Sequence, residues 1–355
     1  MSIQNHLDEL VASGQEIGVQ VAAYVDGQLV VNAAAGVTDL DTRTPVDTRT
    51  LFPSHSAGKG AAAIVVATLV DRGVLDYDDP VAKFWPEYAA NGKGSTTLGH
   101  VLSHQAGVPY LPADITAEQL VDVRSVAAWL AGQTPEWEPG TATGYHGWTY
   151  GHLTAEIVQR AAGCSIEDVL RDVAASAGVS GELYFGLPAD VPAATLYEGN
   201  WAAMLPGLPP NFHRVAPRLV LPVAELTNRE LVRSACLPAS GTVTAHGLAT
   251  LYAKFMTGEL TSPGVVERAT RQRTAAPDQV FGAPIPKAYG FFLGNPFSDW
   301  GTRTTIYGMN GSGGSVGFAD PERRFAFAFT HNRMVGGDQE SFPALVKVIR
   351  AEYDL

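Results

Sequence analysis

The stretch Leu51–Gly73, LFPSHSAGKGAAAIVVATLVDRG, sets two serines and a lysine immediately ahead of a long apolar run. The run AAAIVVATLV is apolar almost all round and stops at Gly73, which predicts a helix buried on every side with a glycine C-terminal stop. Val65, Val66 and Val70 lower its intrinsic propensity, so packing must hold it. If the helix starts at Ser56, Lys59 falls one turn later on the same face, within reach of the serine hydroxyl. Ser54, five residues from Lys59, falls on another face. Ser56 is therefore the candidate nucleophile.

A serine attacks a carbonyl only when a base takes its proton, and a lysine serves only when neutral. Bringing an amine from about 10.4 to near 7 takes about 4 kcal/mol of environmental bias. Desolvation by the apolar run and the positive end of the helix both push that way. A phosphate-binding loop fits the letters poorly. Gly58-Lys59 is followed by Gly60 rather than Ser or Thr, and position 53, where the first glycine belongs, is a proline.

Working outward, the N-terminal side predicts a helix over residues 4–13 and then a hairpin, IGVQVAAYVDGQLVVNAAAG, turning at Asp26-Gly27. Residues 83–235 consist of short helical pieces broken by Pro and Gly, with a Pro-rich stretch, MLPGLPPNFHRVAPRLVLP, expected as a loop over a lobe junction. Beyond it come the helix TAHGLATLYAKFM, four strand-like runs (YGFFLGN, RTTIYG, GSVGFADP and RRFAFAFTHN) and a terminal helix, SFPALVKVIRAEY. The hairpin and the late strands are expected to share one antiparallel sheet covered by the first, central and last helices. The fold class is thus α/β, an antiparallel sheet flanked by helices with an inserted, mostly helical lobe. Its divisions are 1–82 with 236–355, and 83–235.

The 355 residues carry a formal charge of −12, which argues against nucleic acid, whose phosphates demand clustered Lys and Arg. No apolar run nears the roughly 18 residues of a membrane span, and the first residues lack the pattern of a secretion signal. A cytoplasmic protein with reduced Cys164 and Cys236 is expected. No cofactor or metal is expected either.

Two further segments accompany the Ser-x-x-Lys pair. WEPGTATGYHGWTYGHLTAEIVQRAAG holds Tyr145 in a glycine-flanked turn ahead of a helix, where a phenol is presented to a cleft. IYGMNGSGGSVGFADPERRFAFAFTHN is a glycine-dense strand edge, where Gly311, Gly313 and Gly314 are expected to let a substrate approach the backbone. In this combination and order the chain resembles the serine β-lactamase and penicillin-binding-protein superfamily, in its class C-like branch of family VIII carboxylesterases and related acyltransferases. FPSHSAGKG, TLGHVLSHQAGVP, GYHGWTYGHLTAEIVQRAAG and GSGGSVGFADPERRFAFAFTHNRM carry the likeness, which spans most of the chain.

The resemblance implies that Ser56 is acylated and that Lys59 and Tyr145 share the proton traffic; which of them is base in each step stays open. It implies an oxyanion hole from the backbone N–H groups of Ser56 and Ser312. Two departures bear on the substrate. Gly147 stands where lactamases of this class have Asn, and Met309-Asn310-Gly311 replaces their Lys-Thr-Gly and the His-x-Gly of esterases. A small neutral ester or other acyl donor is the expected partner, contacted by His146, Gly147, Trp148, Met309, Asn310 and Gly311. The expected activity is carboxylester hydrolysis. The alternatives are acyl transfer to a small alcohol or amine, β-lactam or D-amino-acid amide hydrolysis, and a catalytically silent binding protein on the same fold.

Other motifs read as structural. Gly313–Gly317 spells Gly-x-Ser-x-Gly but lies between strands rather than at a strand-to-helix elbow. His100 and His104 have zinc-like spacing without a Glu after His100 or a third ligand. Asp320 and Arg323 are expected to form a turn. Of the aromatics Trp137, Trp148, Tyr150, Phe212, Trp300 and Tyr307, most are expected in the core, with some lining the cleft.

Overall fold

The computed structural model describes residues 2–296 and 298–355. In chain order its principal elements are α1 (Ile3–Ala12), β1 (Gly18–Val25), β2 (Gln28–Gly36), β3 (Phe52–His55), α2 (Ala57–Asp71) and α3 (Thr149–Ala162). They continue with β4 (Leu183–Tyr184), β5 (Gly241–Val243), α4 (Ala245–Met256), β6 (Phe292–Leu293), β7 (Tyr307–Asn310), β8 (Val316–Asp320), β9 (Phe325–His331) and α5 (Phe342–Glu352).

The main sheet has six strands in the order β2-β1-β9-β8-β7-β6, every neighbouring pair antiparallel. The start and end of the chain therefore meet at its centre, where Val19 pairs with His331 and Val25 with Phe325. Asp26 and Gly27 have φ of 51° and 77°, the two positive angles that a type I′ hairpin needs.

Strand β9 explains both faces of the sheet. In FAFAF the alternation puts Phe325, Phe327 and Phe329 on one side, where they join Ile3, Leu7, Phe342, Leu345 and Ile349 of α1 and α5 in one buried cluster. Ala326 and Ala328 face the other side, in the cluster that includes Leu248, Leu251 and Tyr252 of α4. Small alanines let α4 lie close across the sheet. The expected covering changes in one respect: α4 packs across β1, β8 and β9, while α2 meets the sheet chiefly at β7. The cause is that every residue of α2 from Ala57 to Val70 is buried, so the helix needs protein on all sides rather than a single sheet face.

A small antiparallel sheet, β3-β5-β4, leads into α2. The Pro-rich stretch is less irregular than expected: it folds into short helical turns, Leu205–Gly207, Pro210–Val215 and Arg218–Val220 among them. Asp320 and Arg323 do more than form a turn. Asp320 is fully buried and accepts hydrogen bonds from Arg303 at 2.6 Å to each carboxylate oxygen, with Arg323 at 3.3 Å and Arg350 at 3.4 Å. Cys164 and Cys236 are both free.

Candidate active site

The chain leaves β3 through His55, a non-glycine residue at φ 47°, and enters α2 at Ser56. This left-handed step, worth on the order of 1 kcal/mol of strain, turns the serine out of the strand and onto the helix N-terminus. His55 is held there by a 2.8 Å hydrogen bond between its Nε2 and Thr227 Oγ1. Ser54 is tied down separately, its hydroxyl donating to Gly241 O at 2.9 Å.

Ser56 Oγ lies 2.6 Å from Lys59 Nζ and 2.7 Å from Tyr145 Oη, and the amine and the phenol are 3.0 Å apart. Each of the three polar atoms thus contacts the other two. Lys59 is wholly enclosed by the apolar helix and its neighbours, and burial brings its amine down from 10.5 to about 7. Burial pushes the Tyr145 phenol up to about 12; the Ser56 hydrogen bond works against that shift and the Asp278 carboxylate adds to it. At neutral pH the phenol keeps its proton and the amine is poised to accept one.

Tyr145 is positioned by a residue that sequence reasoning missed. Asp278 Oδ1 accepts from the backbone N–H of Tyr145 at 3.2 Å, of Val280 at 2.8 Å and of Phe281 at 3.0 Å, while Lys287 Nζ lies 2.8 Å from its other oxygen. The contact spans 133 residues, and no local spacing announces it.

Ser312 and Ser56 line one cleft together with His55, Tyr145, Gly147, Trp148, Phe212, Val215, Ala216, Pro222 and Ala239, around about 320 Å3 of empty space including its mouth. Neither the Ser56 nor the Ser312 N–H is committed to a turn, loop or cap hydrogen bond among the described residues. The lining contains no Lys, Arg, Asp or Glu. Burial, with Lys59 nearby, drives the His55 imidazole down to about 4, so it stays neutral.

Of the expected substrate contacts, Gly147 and Trp148 line the cleft and the others do not. Met309 is fully buried in β7, where the strand abuts α2. Asn310, the next residue, is half-buried and lies outside the lining. Gly311 is needed for packing: a β-carbon there would stand 2.0 Å from Ser54 O, so its bare backbone lets the end of β7 close on the segment before Ser56. Gly313 and Gly314 likewise face Met334 and the His331 ring rather than an open approach for substrate. His146 is fully buried; its Nδ1 lies 2.7 Å from Gly144 O and its Nε2 accepts from Val108 N–H at 3.2 Å, so both ring nitrogens are used inside the fold.

The lining residues Phe212, Val215, Ala216 and Pro222 come from the Pro-rich stretch. Its apolar residues in a segment expected to lie over a lobe junction were the signal available. Among the aromatics, Trp148 and Phe212 line the cleft, whereas Tyr150, Trp300 and Tyr307 are core. Trp137 spends its indole N–H on Gln105 O at 3.3 Å. Ser315 is buried outside the cleft.

Comparison with known proteins identifies the family and the fold. A sequence model described as Beta-lactamase matches residues 3–349. The chain is 30% identical over 357 aligned positions to the Esterase/beta-lactamase LipL of Mycobacterium tuberculosis, covering 94% of this chain and 82% of that protein. A crystal structure of a family VIII carboxylesterase superposes with a TM-score of 0.88 at 30% identity, covering 99% of this chain and 96% of that one. EstA from Arthrobacter nitroguajacolicus Rue61a superposes with a TM-score of 0.85 at 27% identity, covering 97% and 94%. With nearly its whole length matched and a Ser-x-x-Lys pair opening its buried helix, the chain belongs to the Beta-lactamase family.

Proposed function

We propose that this protein is a serine carboxylesterase that forms an acyl-enzyme on Ser56 from a small, neutral ester. The observation that carries the reading is the buried triangle of Ser56 Oγ, Lys59 Nζ and Tyr145 Oη, with the amine brought to about 7 and the phenol held near 12. The neutral amine takes the Ser56 proton as Oγ attacks the ester carbon, and the oxyanion forms against the N–H groups of Ser56 and Ser312. Tyr145 gives its proton to the departing alkoxide and regains one from the Lys59 ammonium. Water then attacks the acyl carbon, its proton passes through Tyr145 and Lys59 back to Oγ, and the acid leaves.

The substrate class follows from the walls of the cleft. Trp148, Phe212, Val215, Ala216, Pro222 and Ala239 offer apolar surface, and the described residues that line the cleft include no Lys, Arg, Asp or Glu to pair with a carboxylate or an ammonium. The esterase names of LipL and of the family VIII structure favour the same reading. Residues 1–82 with 236–355 supply Ser56, Lys59, Ser312 and Ala239, and 83–235 supply Tyr145 and the rest of the apolar wall. We read these as two lobes with the cleft between them. Free Cys164 and Cys236 support a reducing, cytoplasmic setting.

The test is p-nitrophenyl butyrate turnover with wild type and Ser56→Ala, together with mass spectrometry after a fluorophosphonate probe. Wild type is expected to turn over and to carry the adduct on Ser56, and the variant to lose at least a thousandfold in kcat. Below pH 7 the rate is expected to fall tenfold per pH unit, as the Lys59 amine takes up a proton. Unchanged turnover in the alanine variant sinks the reading. Product partition with added butanol reads out acyl transfer, and nitrocefin reads out lactam hydrolysis.

A further inference from the structure

The turn that carries Ser312 is gripped from behind by an imidazole that the proton relay does not use. His331 ends β9 and is 3% exposed. Its Nε2 lies 2.7 Å from Gly313 O, and its Nδ1 lies 2.8 Å from Glu16 Oε2. A carbonyl and a carboxylate only accept hydrogen bonds. Satisfying both contacts therefore requires an N–H at each ring nitrogen, which is the imidazolium form.

Both acceptors are fixed in turn. Gly313 O also accepts from Val335 N–H at 2.9 Å, and Glu16 Oε1 accepts from Ser341 Oγ at 2.6 Å. Gly311 N–H donates to Ser315 O at 2.7 Å and Gly314 N–H to Gly311 O at 3.1 Å, so the turn moves as one piece. Gly314, at φ 110°, has no β-carbon where one would stand 2.8 Å from His331 Nε2, and this is what lets the ring reach the turn.

The titratable groups facing His331 are Glu16, from the segment after α1, and Glu340, from the segment before α5, whose carboxyl is pushed up to about 7 by burial, with Asp299 nearby. Burial favours the neutral ring. The Glu16 carboxylate, with the hydrogen bonds to Glu16 and Gly313, outweighs it and holds the imidazole above its ordinary value.

We propose that His331, clamped as an imidazolium between Glu16 and Gly313, is a positioning residue for the oxyanion hole, fixing the 311–314 turn so that the Ser312 N–H addresses the cleft. The inference rests on the Ser56 acyl-enzyme reading. When His331 loses a proton, one ring nitrogen turns a lone pair toward an oxygen and the turn relaxes. The oxyanion exists only along the reaction path, so the loss falls on kcat and leaves KM nearly unchanged. Activity is then bounded on the acid side by Lys59 and on the alkaline side by His331.

The experiment pairs pH profiles of kcat for wild type and Glu16→Gln with 15N correlation spectra of the histidine rings, His331 being assigned through His331→Gln. The glutamine keeps an acceptor for Nδ1–H but removes the counter-charge. The alkaline limb is expected to move to lower pH and kcat above it to fall about tenfold, while the acid limb stays near 7 and KM changes less than twofold. In wild type alone, the alkaline limb and the His331 titration are expected to coincide, which tests the idea even if Glu16→Gln does not fold. A limb that stays put in the folded variant, a uniform scaling of the whole profile, or a neutral His331 ring below pH 7 in wild type overturns the proposal. A wild-type protein silent toward p-nitrophenyl esters at every pH sinks the acyl-enzyme reading instead, and the ring spectrum still judges the charge on His331.

Discussion

At position 147 a single missing β-carbon sets how closely the wall of the cleft can pack. A β-carbon on Gly147 would stand 2.4 Å from Val215 Cγ1 and 3.5 Å from the Tyr145 ring. Val215 is fully buried and β-branched, so it has little freedom to withdraw. The space in which a lactamase-type Asn would hold a substrate amide is therefore occupied by an apolar wall, consistent with an ester whose carbonyl needs no neighbouring amide. Gly147→Ala is expected to push Val215 and the Tyr145 ring apart and to lower kcat/KM for p-nitrophenyl butyrate about tenfold or more, since small misplacements of a reacting group are costly. Val215→Ala alone is expected to cost little, and the double variant to recover most of the loss. A double-mutant cycle measures this coupling directly, and additive effects would show that the two side chains do not compete for one space.

The helix α2 carries an ionisable amine inside a buried run, Ala57 to Val70, that is otherwise Ala, Gly, Val, Leu, Ile and Thr, and its stability should record that burden. Unfolded, Lys59 binds its proton below about 10.5; folded, it does so only below about 7. Between those values the unfolded chain holds the extra proton, so lowering the pH through this window weakens the fold, and below it the cost is constant. The cost is on the order of 4 kcal/mol, and methionine in its place forfeits two hydrogen bonds worth about 1 kcal/mol each. Lys59→Met is thus expected to be more stable than wild type by about 2 kcal/mol at pH 6.5 and to lose that advantage by pH 10. Thermal unfolding of both proteins at the two pH values checks it, and an advantage that grows with pH contradicts it. This helix, its glycine stop and the contact between Ser56 and Lys59 were legible in the sequence because they depend on near neighbours, as did the Asp26-Gly27 hairpin and the alternation in Phe325–His331. The fold class was legible from the order of strand and helix patterns along the chain and from the family resemblance, although its central pairing joins Val19 to His331. The reach of Asp278 to Tyr145, the wall built by Val215, and the glycines at 311 and 314 that admit Ser54 O and the His331 ring were not. Each is a contact between distant parts of the chain, and residue spacing encodes only local geometry.

Across the whole molecule, the sheet separates two buried clusters: one contains α2, α4 and Tyr145, the other α1 and α5. Asp320, at the end of β8, fastens the second side. Its buried carboxylate draws Arg303 from the approach to β7, Arg323 from the turn after β8 and Arg350 from α5. Removing one partner of such a cluster leaves several guanidinium groups facing one another, and breaking a buried ion pair in this way costs about 3 kcal/mol or more. The strand residues between Val316 and Asp320 set the cluster about 13 Å from the turn that bears Ser312, at the rise of an extended strand. Stability and chemistry should therefore separate. Asp320→Asn is expected to lower the urea midpoint by the equivalent of about 3 kcal/mol and to speed amide exchange first in Phe342–Glu352, the helix whose Arg350 loses its counter-charge and keeps its bond to Trp300 O. Turnover of p-nitrophenyl butyrate by the folded fraction should stay within twofold of wild type. Arg350→Met, which removes one donor and leaves Arg303 in place, should give the same pattern at a smaller amplitude. If Asp320→Asn instead lowers kcat in folded protein while the midpoint holds, the cluster acts through the β8 backbone on the oxyanion turn, and the two sides of the sheet are coupled rather than independent.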